Sequence, residues 1–277
     1  MIQKRMGLTG NQIKILAIIF MTFNHYTFMF GFPAIYSDHT FVDAVLLPVN
    51  FLLLFIFKHT GPMTYVIMSF ALAEGFEHTK NKFTYGKRLF LFALVSVIPF
   101  YLFANYGLRS ALWMNPQILI ENMSFNIIYV LFVSFIVLCC IEKLQNIGRS
   151  QWIRMILEVL VVVLGIMLTY RADWSPIGVL GPYIMFKVPK EKRATYGVLL
   201  FYAITVMGVG IKMYLEFPGA LLGTMLYCLR DRLPMLVSML ILSRYNGSIG
   251  KYNLKYLFYI YYPVHLLIFF IIYYFMF

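Results

Sequence analysis

A lysine and a histidine stand eleven residues apart in one apolar stretch, Lys14 and His25 in IKILAIIFMTFNHY. On a helix, eleven steps of about 100° return both side chains to nearly the same face, about 16 Å apart along the axis. Lys14 then sits at a membrane edge and His25 near the bilayer midplane, where an ionisable group is expensive and points to function. A histidine with an ordinary pKa near ~6.5 suits general-base chemistry at neutral pH. The same ring can instead only satisfy hydrogen bonds between helices. Asn24 lies on a neighbouring face, placed either to orient the ring or a ligand or to hold two helices together.

Two further clusters carry titratable groups. In LAEGFEHTKNKFTYGKRLF, Glu74 and His78 are four residues apart and share a helical face. Glu74 lies inside an apolar run and therefore needs a partner, which an internal Glu–His pair would supply. Lys82, Lys87 and Arg88 follow with Lys80 in a short basic loop, either a phosphate-binding surface or a plain membrane-flanking loop. Near the C-terminus, KYLFYIYYPVHLL places His265 deep in an apolar run, with Tyr261 and Tyr262 as helical neighbours. Pro263 frees local backbone carbonyls, which suits a cavity wall. Arg171 and Asp173 in YRADWSP read as a surface turn before the next helix.

The elements that position these groups are membrane helices. Of 277 residues 61% are hydrophobic and 12% charged, and the mean hydropathy is +0.79. Apolar runs of about 17–22 residues recur from end to end, the pattern of an all-α polytopic bundle. The net charge of +12 invites a nucleic-acid partner, but nineteen of the 23 Lys and Arg fall in six regions: 1–14, 77–88, 142–154, 187–193, 228–233 and 243–256. The connections 33–40, 105–121, 170–175 and 212–218 hold only Arg109, Arg171 and Lys212. That asymmetry fits the positive-inside rule, with a cytoplasmic N-terminus and no nucleic acid.

This alternation predicts spans over 13–32, 88–105, 122–141, 154–170, 176–187, 195–213, 218–229 and 256–276. Of the stretches 41–57 and 61–76 only one crosses. The second is favoured, because Pro48 and Asn50 interrupt the first. The run 234–243 is either a tilted short span or a re-entrant hairpin. The count is eight to ten helices in one domain covering 1–277, with one or two broken or re-entrant segments. The first helix is too long and too polar at Asn24 and His25 for a cleaved signal peptide. Cys139, Cys140 and Cys228 give neither a disulfide framework nor a metal-ligand spacing. Two classes survive, a transmembrane group-transfer enzyme and a small transporter relaying protons through buried His and Glu.

Four segments in this order resemble the TraX family, inner-membrane proteins named for acetylation of conjugative pilin. They are IKILAIIFMTFNH, FALAEGFEHTKNKFTYGKRLFLFALVSVIPF, the ADW turn and GKYNLKYLFYIYYPVHLL. The Lys14-x10-His25 spacing is also similar to the R/K-x10-H motif of membrane acyltransferases that acetylate surface polysaccharides. The resemblance implies an acetyltransferase of the cytoplasmic membrane. Its donor would be cytoplasmic acetyl-CoA and its acceptor a peptide or glycan, with no metal. It implies His25 as base, with Asn24, Glu74, His78 and His265 orienting groups or shuttling protons. Lys14, Lys82, Lys87 and Arg88 would meet the donor. Two places depart from the family. Asn24-His25 stands where the family usually has Asp-His, and the family's Gly-Arg and following Phe-Pro are lost around Gly61-Pro62. A non-catalytic scaffold or immunity protein is a further alternative.

Overall fold

The computed structural model describes residues 7–30, 56–105, 123–146, 150–175, 177–216, 221–252 and 254–276. They form an all-helical protein; the described residues contain no strand, only isolated bridges at Leu8–Tyr245 and Phe125–Ala172. The chain divides into two compact units, one of residues 1–68 and 202–277, the other of residues 69–201.

The second unit is built around helix α5 (Ile127–Gln145), flanked by α3 (Lys82–Val95), α6 (Gln151–Leu168) and α7 (Leu180–Lys187). Asn126 caps α5 by accepting from the Tyr129 N–H at 3.1 Å, and its amide donates to the Ala93 carbonyl at 2.8 Å. That carbonyl lies where α3 gives way to α4 (Val97–Ala104), across a 43° bend. Pro99 explains the bend, since its ring cannot sit against the carbonyl four residues back and it has no N–H to donate. Val133, Val137, Ile141, Val162 and Val179 form a buried cluster between α5, α6 and the segment before α7. A Cβ on Gly165 would come within 2.7 Å of Val137, so glycine is what lets α6 lie this close to α5. The opposite face of α6 exposes Val159, Leu160, Leu164 and Leu168. Such a surface suits lipid rather than water.

The first unit holds α1 (Gly10–Phe30), the start of α2 (Thr60–His78), most of α8 (Val198–Glu216), α9 (Leu221–Arg232), α10 (Pro234–Leu242) and α11 (Lys255–Met276). Thr9 and Gln12 make a capping box at the head of α1, with bonds of 2.8 and 3.3 Å between each backbone N–H and the other's side chain. The same head is stitched to the chain before α11. Gly10 N–H donates to the Ser248 carbonyl, Asn11 N–H to that of Ile249, and the Asn11 amide to that of Tyr252. From there α1 and α11 run parallel, pairing Thr22 with Tyr261, His25 with His265 and Phe30 with Tyr273. Both helices therefore run away from the Gly10 end together. Helix α2 runs antiparallel to α1, because the Thr60 and Thr64 hydroxyls donate to the Phe20 and Ala17 carbonyls.

Among the described residues five helices are long and apolar enough to cross a membrane, or six if α3 and α4 count as one bent span. That count does not confirm the eight to ten expected. The stretches 218–229 and 234–243 are not joined by an extended basic loop. Helices α9 and α10 follow each other through Leu233 alone, whose N–H still donates to the Arg230 carbonyl. The Ser238 hydroxyl meets the Met63 carbonyl and Asp231 meets His59, while Lys58 lies beside Asn24. The basic region 228–233 therefore packs beside the head of α2, next to Asn24. The interrupted stretch 41–57 with Pro48 and Asn50 lies, up to residue 55, outside the described residues, as do the loops 33–40 and 106–121.

Candidate active site

His25 and His265 meet in the first unit. Nδ1 of His25 is 2.8 Å from Nε2 of His265, and Nδ1 of His265 is 2.8 Å from the Tyr261 carbonyl oxygen. A carbonyl can only accept, so the neutral His265 carries its proton on Nδ1 and presents a lone pair at Nε2. Nδ1–H of His25 then donates to that lone pair. His25 in turn holds its own lone pair on Nε2, the tautomer a base needs. The bond pattern thus orients one imidazole through another, as a carboxylate orients the base in a nucleophile–base pair.

The surroundings hold this chain of bonds in place. His265 is buried, with the Tyr261 ring stacked on it at 4.9 Å and the Tyr262 and Phe269 rings edge-on at 5.7 and 5.9 Å. The Tyr261 hydroxyl is tied to the Thr22 hydroxyl at 2.6 Å. Lys14 faces the same helix, with its ammonium 5.5 Å from the Phe258 ring centre. The shared face read from the sequence is therefore the face that α1 turns to α11.

Asn24 bonds to the segment before α2. Its amide donates to the Lys58 carbonyl at 2.6 Å, and its side chain lies 2.9 Å from where a Cβ on Gly61 would be. It acts between helices, at the head of α2. Beside it, Nδ1 of His59 is 3.5 Å from one Asp231 oxygen, and Nε of Arg232 is 3.4 Å from the other. The sequence reading assigned none of these residues to a site, because Arg230 and Arg232 passed for a membrane-flanking loop.

In the second unit Glu74 finds a second partner besides the expected His78. Its carboxylate pairs with Arg193, whose guanidinium is also 2.7 Å from Glu77. Lys190 reaches Glu77 at 2.9 Å. His78 donates from Nδ1 to the Glu74 backbone carbonyl at 2.8 Å and stands 3.9 Å from the carboxylate. Arg193 is almost wholly buried, at 1% exposure, and opens a π-helical turn, Arg193–Gly197, that leads into α8. Burial alone would raise the Glu77 carboxyl, but the hydrogen bonds and charges of Arg193 and Lys190 outweigh it and hold that group below the ordinary carboxylate range. Arg193 escaped the sequence reading because it ends the run KVPKEKR, which reads as another basic loop.

Of the basic residues expected to meet a donor, Lys82 is engaged by the Glu142 carboxylate and sits 4.1 Å over the Phe76 ring. Lys87 is exposed, and Arg88 is half-buried against the Tyr85 ring at 5.6 Å.

The family model described as TraX protein matches residues 9–273. No curated protein and no solved structure matches the chain.

Proposed function

Because the chain belongs to the TraX family, we propose that it is an integral-membrane acyltransferase taking an acetyl group from acetyl-CoA. The observation that carries this reading is the His25–His265 pair, which leaves His25 in the tautomer of a base within an apolar helix pair.

In this mechanism Nε2 of His25 accepts a proton from an acceptor amine or hydroxyl as that nitrogen or oxygen bonds to the thioester carbonyl carbon. The carbonyl π electrons move to oxygen. When they return, the C–S bond breaks, and the proton passes from His25 to the departing thiolate. His265 accepts from Nδ1–H throughout, which favours the imidazolium formed in between and keeps the ring from turning. Lys14, on the same helix face, contacts the donor or stabilises developing negative charge. Lys87 and Arg88 remain available to donor phosphates; Lys82 reaches them only by leaving Glu142. Glu74 and His78 serve the Arg193 network rather than the proton path. The donor enters from the cytoplasm, on the side of the basic N-terminal segment, in the inner membrane. The acceptor is a pilin-type peptide or a surface glycan.

The test is acetyl-CoA binding and acetyl transfer by the purified protein and by membranes containing it. His25→Ala is expected to bind acetyl-CoA and to transfer none. Full transfer by that variant at normal expression overturns the mechanism. Flux that follows a pH gradient without consuming acetyl-CoA reassigns the histidine pair to a proton-coupled transporter.

A further inference from the structure

Beside the histidine pair a second polar contact joins α1 to α11, and the mechanism above makes no use of it. The Thr22 and Tyr261 hydroxyl oxygens are 2.6 Å apart. Thr22 follows Lys14 and Ile18 at four-residue spacing and precedes His25 by three, so it belongs to the same helix face. Its hydroxyl also stands 2.8 Å from the Ile18 carbonyl oxygen, one turn back on α1. A hydroxyl has one proton to give and a carbonyl has none. Only one assignment satisfies both contacts: Thr22 donates to Ile18 and accepts from Tyr261. The Tyr261 phenol is therefore the donor, and Thr22 is the acceptor that fixes where its ring sits.

Tyr261 in turn holds His265 from two sides. Its ring stacks on the imidazole, with centres 4.9 Å apart and planes 12° from parallel. Its backbone carbonyl accepts from Nδ1–H of His265 at 2.8 Å. The planes of His25 and His265 differ by 5° and their centres are 5.1 Å apart. With the bonded nitrogens at 2.8 Å, that spacing is close to the largest two imidazole centres can have, so the bond runs in line and in the plane of both rings. An in-plane approach is what a ring nitrogen's lone pair favours. Both series of bonds end on backbone carbonyls, those of Ile18 and Tyr261, which cannot take up a proton. They fix direction and pass no proton on.

We propose that Thr22 and Tyr261 are positioning residues for the base. Their hydroxyl bond holds the ring that keeps His265 in plane, and so keeps the His25 proton on Nδ1 and the lone pair on Nε2. The effect on rate rests on the acyltransferase reading; the effect on the tautomer does not. With the bond removed, the Tyr261 ring turns, His265 leaves the plane of His25, and the His25 proton redistributes between its two nitrogens. A neutral His25 protonated on Nε2 has no lone pair there to offer an acceptor.

The full chain, purified in detergent with the heavy nitrogen isotope in its histidine rings, reports the tautomer by NMR, and acetyl transfer is measured on the same preparations. In the natural chain His25 and His265 are each expected to show a protonated Nδ1 and an unprotonated Nε2, with resonances assigned from His25→Gln and His265→Gln. Thr22→Val and Tyr261→Phe keep side-chain volume and remove one partner each. Both are expected to give His25 a mixture of tautomers and to lower kcat about tenfold at unchanged KM for acetyl-CoA, the effect of losing one hydrogen bond. The double variant should lose no more than either single one, because the two residues share one bond. Thr22→Ser keeps the acceptor and should match the natural chain, which guards against a loss caused by misfolding. In the His265→Ala background Thr22→Val should lower kcat no further, since it acts through His265. Additive losses, a raised KM, a natural His25 protonated on Nε2, or a tautomer unchanged in both single variants overturns the positioning role. No acetyl transfer by the natural chain, with the tautomer still following Thr22, removes the enzyme reading and leaves the positioning pair standing.

Discussion

Nδ1 of His25 lies 2.8 Å from Nε2 of His265, and the two residues are 240 positions apart. In the proposed mechanism His265, itself bonded to the Tyr261 carbonyl, positions the base and does not take the substrate proton. His265→Ala should therefore lower kcat by about a hundredfold without changing KM for the donor, whereas His25→Ala abolishes transfer. His265→Gln restores an acceptor near Nδ1 of His25 and should recover part of kcat. A purely structural role would move KM, expression and kcat together in all three variants. Steady-state kinetics with acetyl-CoA would separate these outcomes.

Asn24 is a donor to the Lys58 carbonyl, and an ionised aspartate cannot donate. Asn24→Asp, which restores the family's usual residue, should therefore destabilise this protein by about 1–3 kcal/mol by setting a carboxylate against a carbonyl oxygen. Thermal unfolding in detergent measures this. An unchanged or higher Tm would show that the aspartate finds another donor, and would return Asn24 to the histidine pair.

Arg193 is buried between two carboxylates. Arg193→Ala should cost about 3–5 kcal/mol, because Glu74 is left with only the more distant His78 and Glu77 with only Lys190. Glu74→Gln and Glu77→Gln together should recover much of that loss in the Arg193→Ala background. The pH dependence follows from Glu77, whose carboxyl is held below its ordinary range. Its contribution is present above the ordinary carboxylate pKa and is lost as pH falls through the lowered value. Acid unfolding of Arg193→Ala should accordingly begin from a less stable state and show a shallower dependence over that window.

Asp173 behaves in the opposite sense. Burial pushes its carboxyl up to about 6, against a smaller opposing effect from the Trp174 backbone N–H. The turn is held by Phe125, whose carbonyl accepts from the Asp173 N–H at 2.8 Å, and it leaves Trp174 in a left-handed conformation with φ of 62°. A carboxyl with a raised folded-state pKa stabilises most at low pH and loses that contribution as pH rises through about 6. Tm should fall between pH 5 and pH 8, and Asp173→Asn should raise it at pH 8 by about 2 °C while leaving pH 5 nearly unchanged. An equal shift at both pH values would assign the effect to the turn's geometry.

Much of this protein is written in local pattern. Hydropathy over windows of a span's length announces membrane helices, because each must satisfy its own backbone in lipid. The three- and four-residue spacing sets Lys14 and His25 on one face, and that face does meet α11. The motifs around Glu74 and His265 were enough for a family resemblance, which the match over residues 9–273 bears out. What tertiary structure alone decided is partnership. Helical periodicity says which way His25 points but not that His265 waits there, since that depends on α1 and α11 running parallel from one shared pinning point. Glu74 demands a cation, yet only packing adds the distant Arg193 to the neighbouring His78. Arg230 and Arg232 look like a membrane-flanking loop in one dimension, because a rule that counts charge cannot distinguish a loop from a break inside a helix pair. The contacts of Arg232 with Asp231, and of Asp231 with His59, place this break beside the head of α2. Charge and hydropathy act along the chain and survive in the sequence. The choice among distant partners is made by the shape of the packed helices and exists only once they have come together.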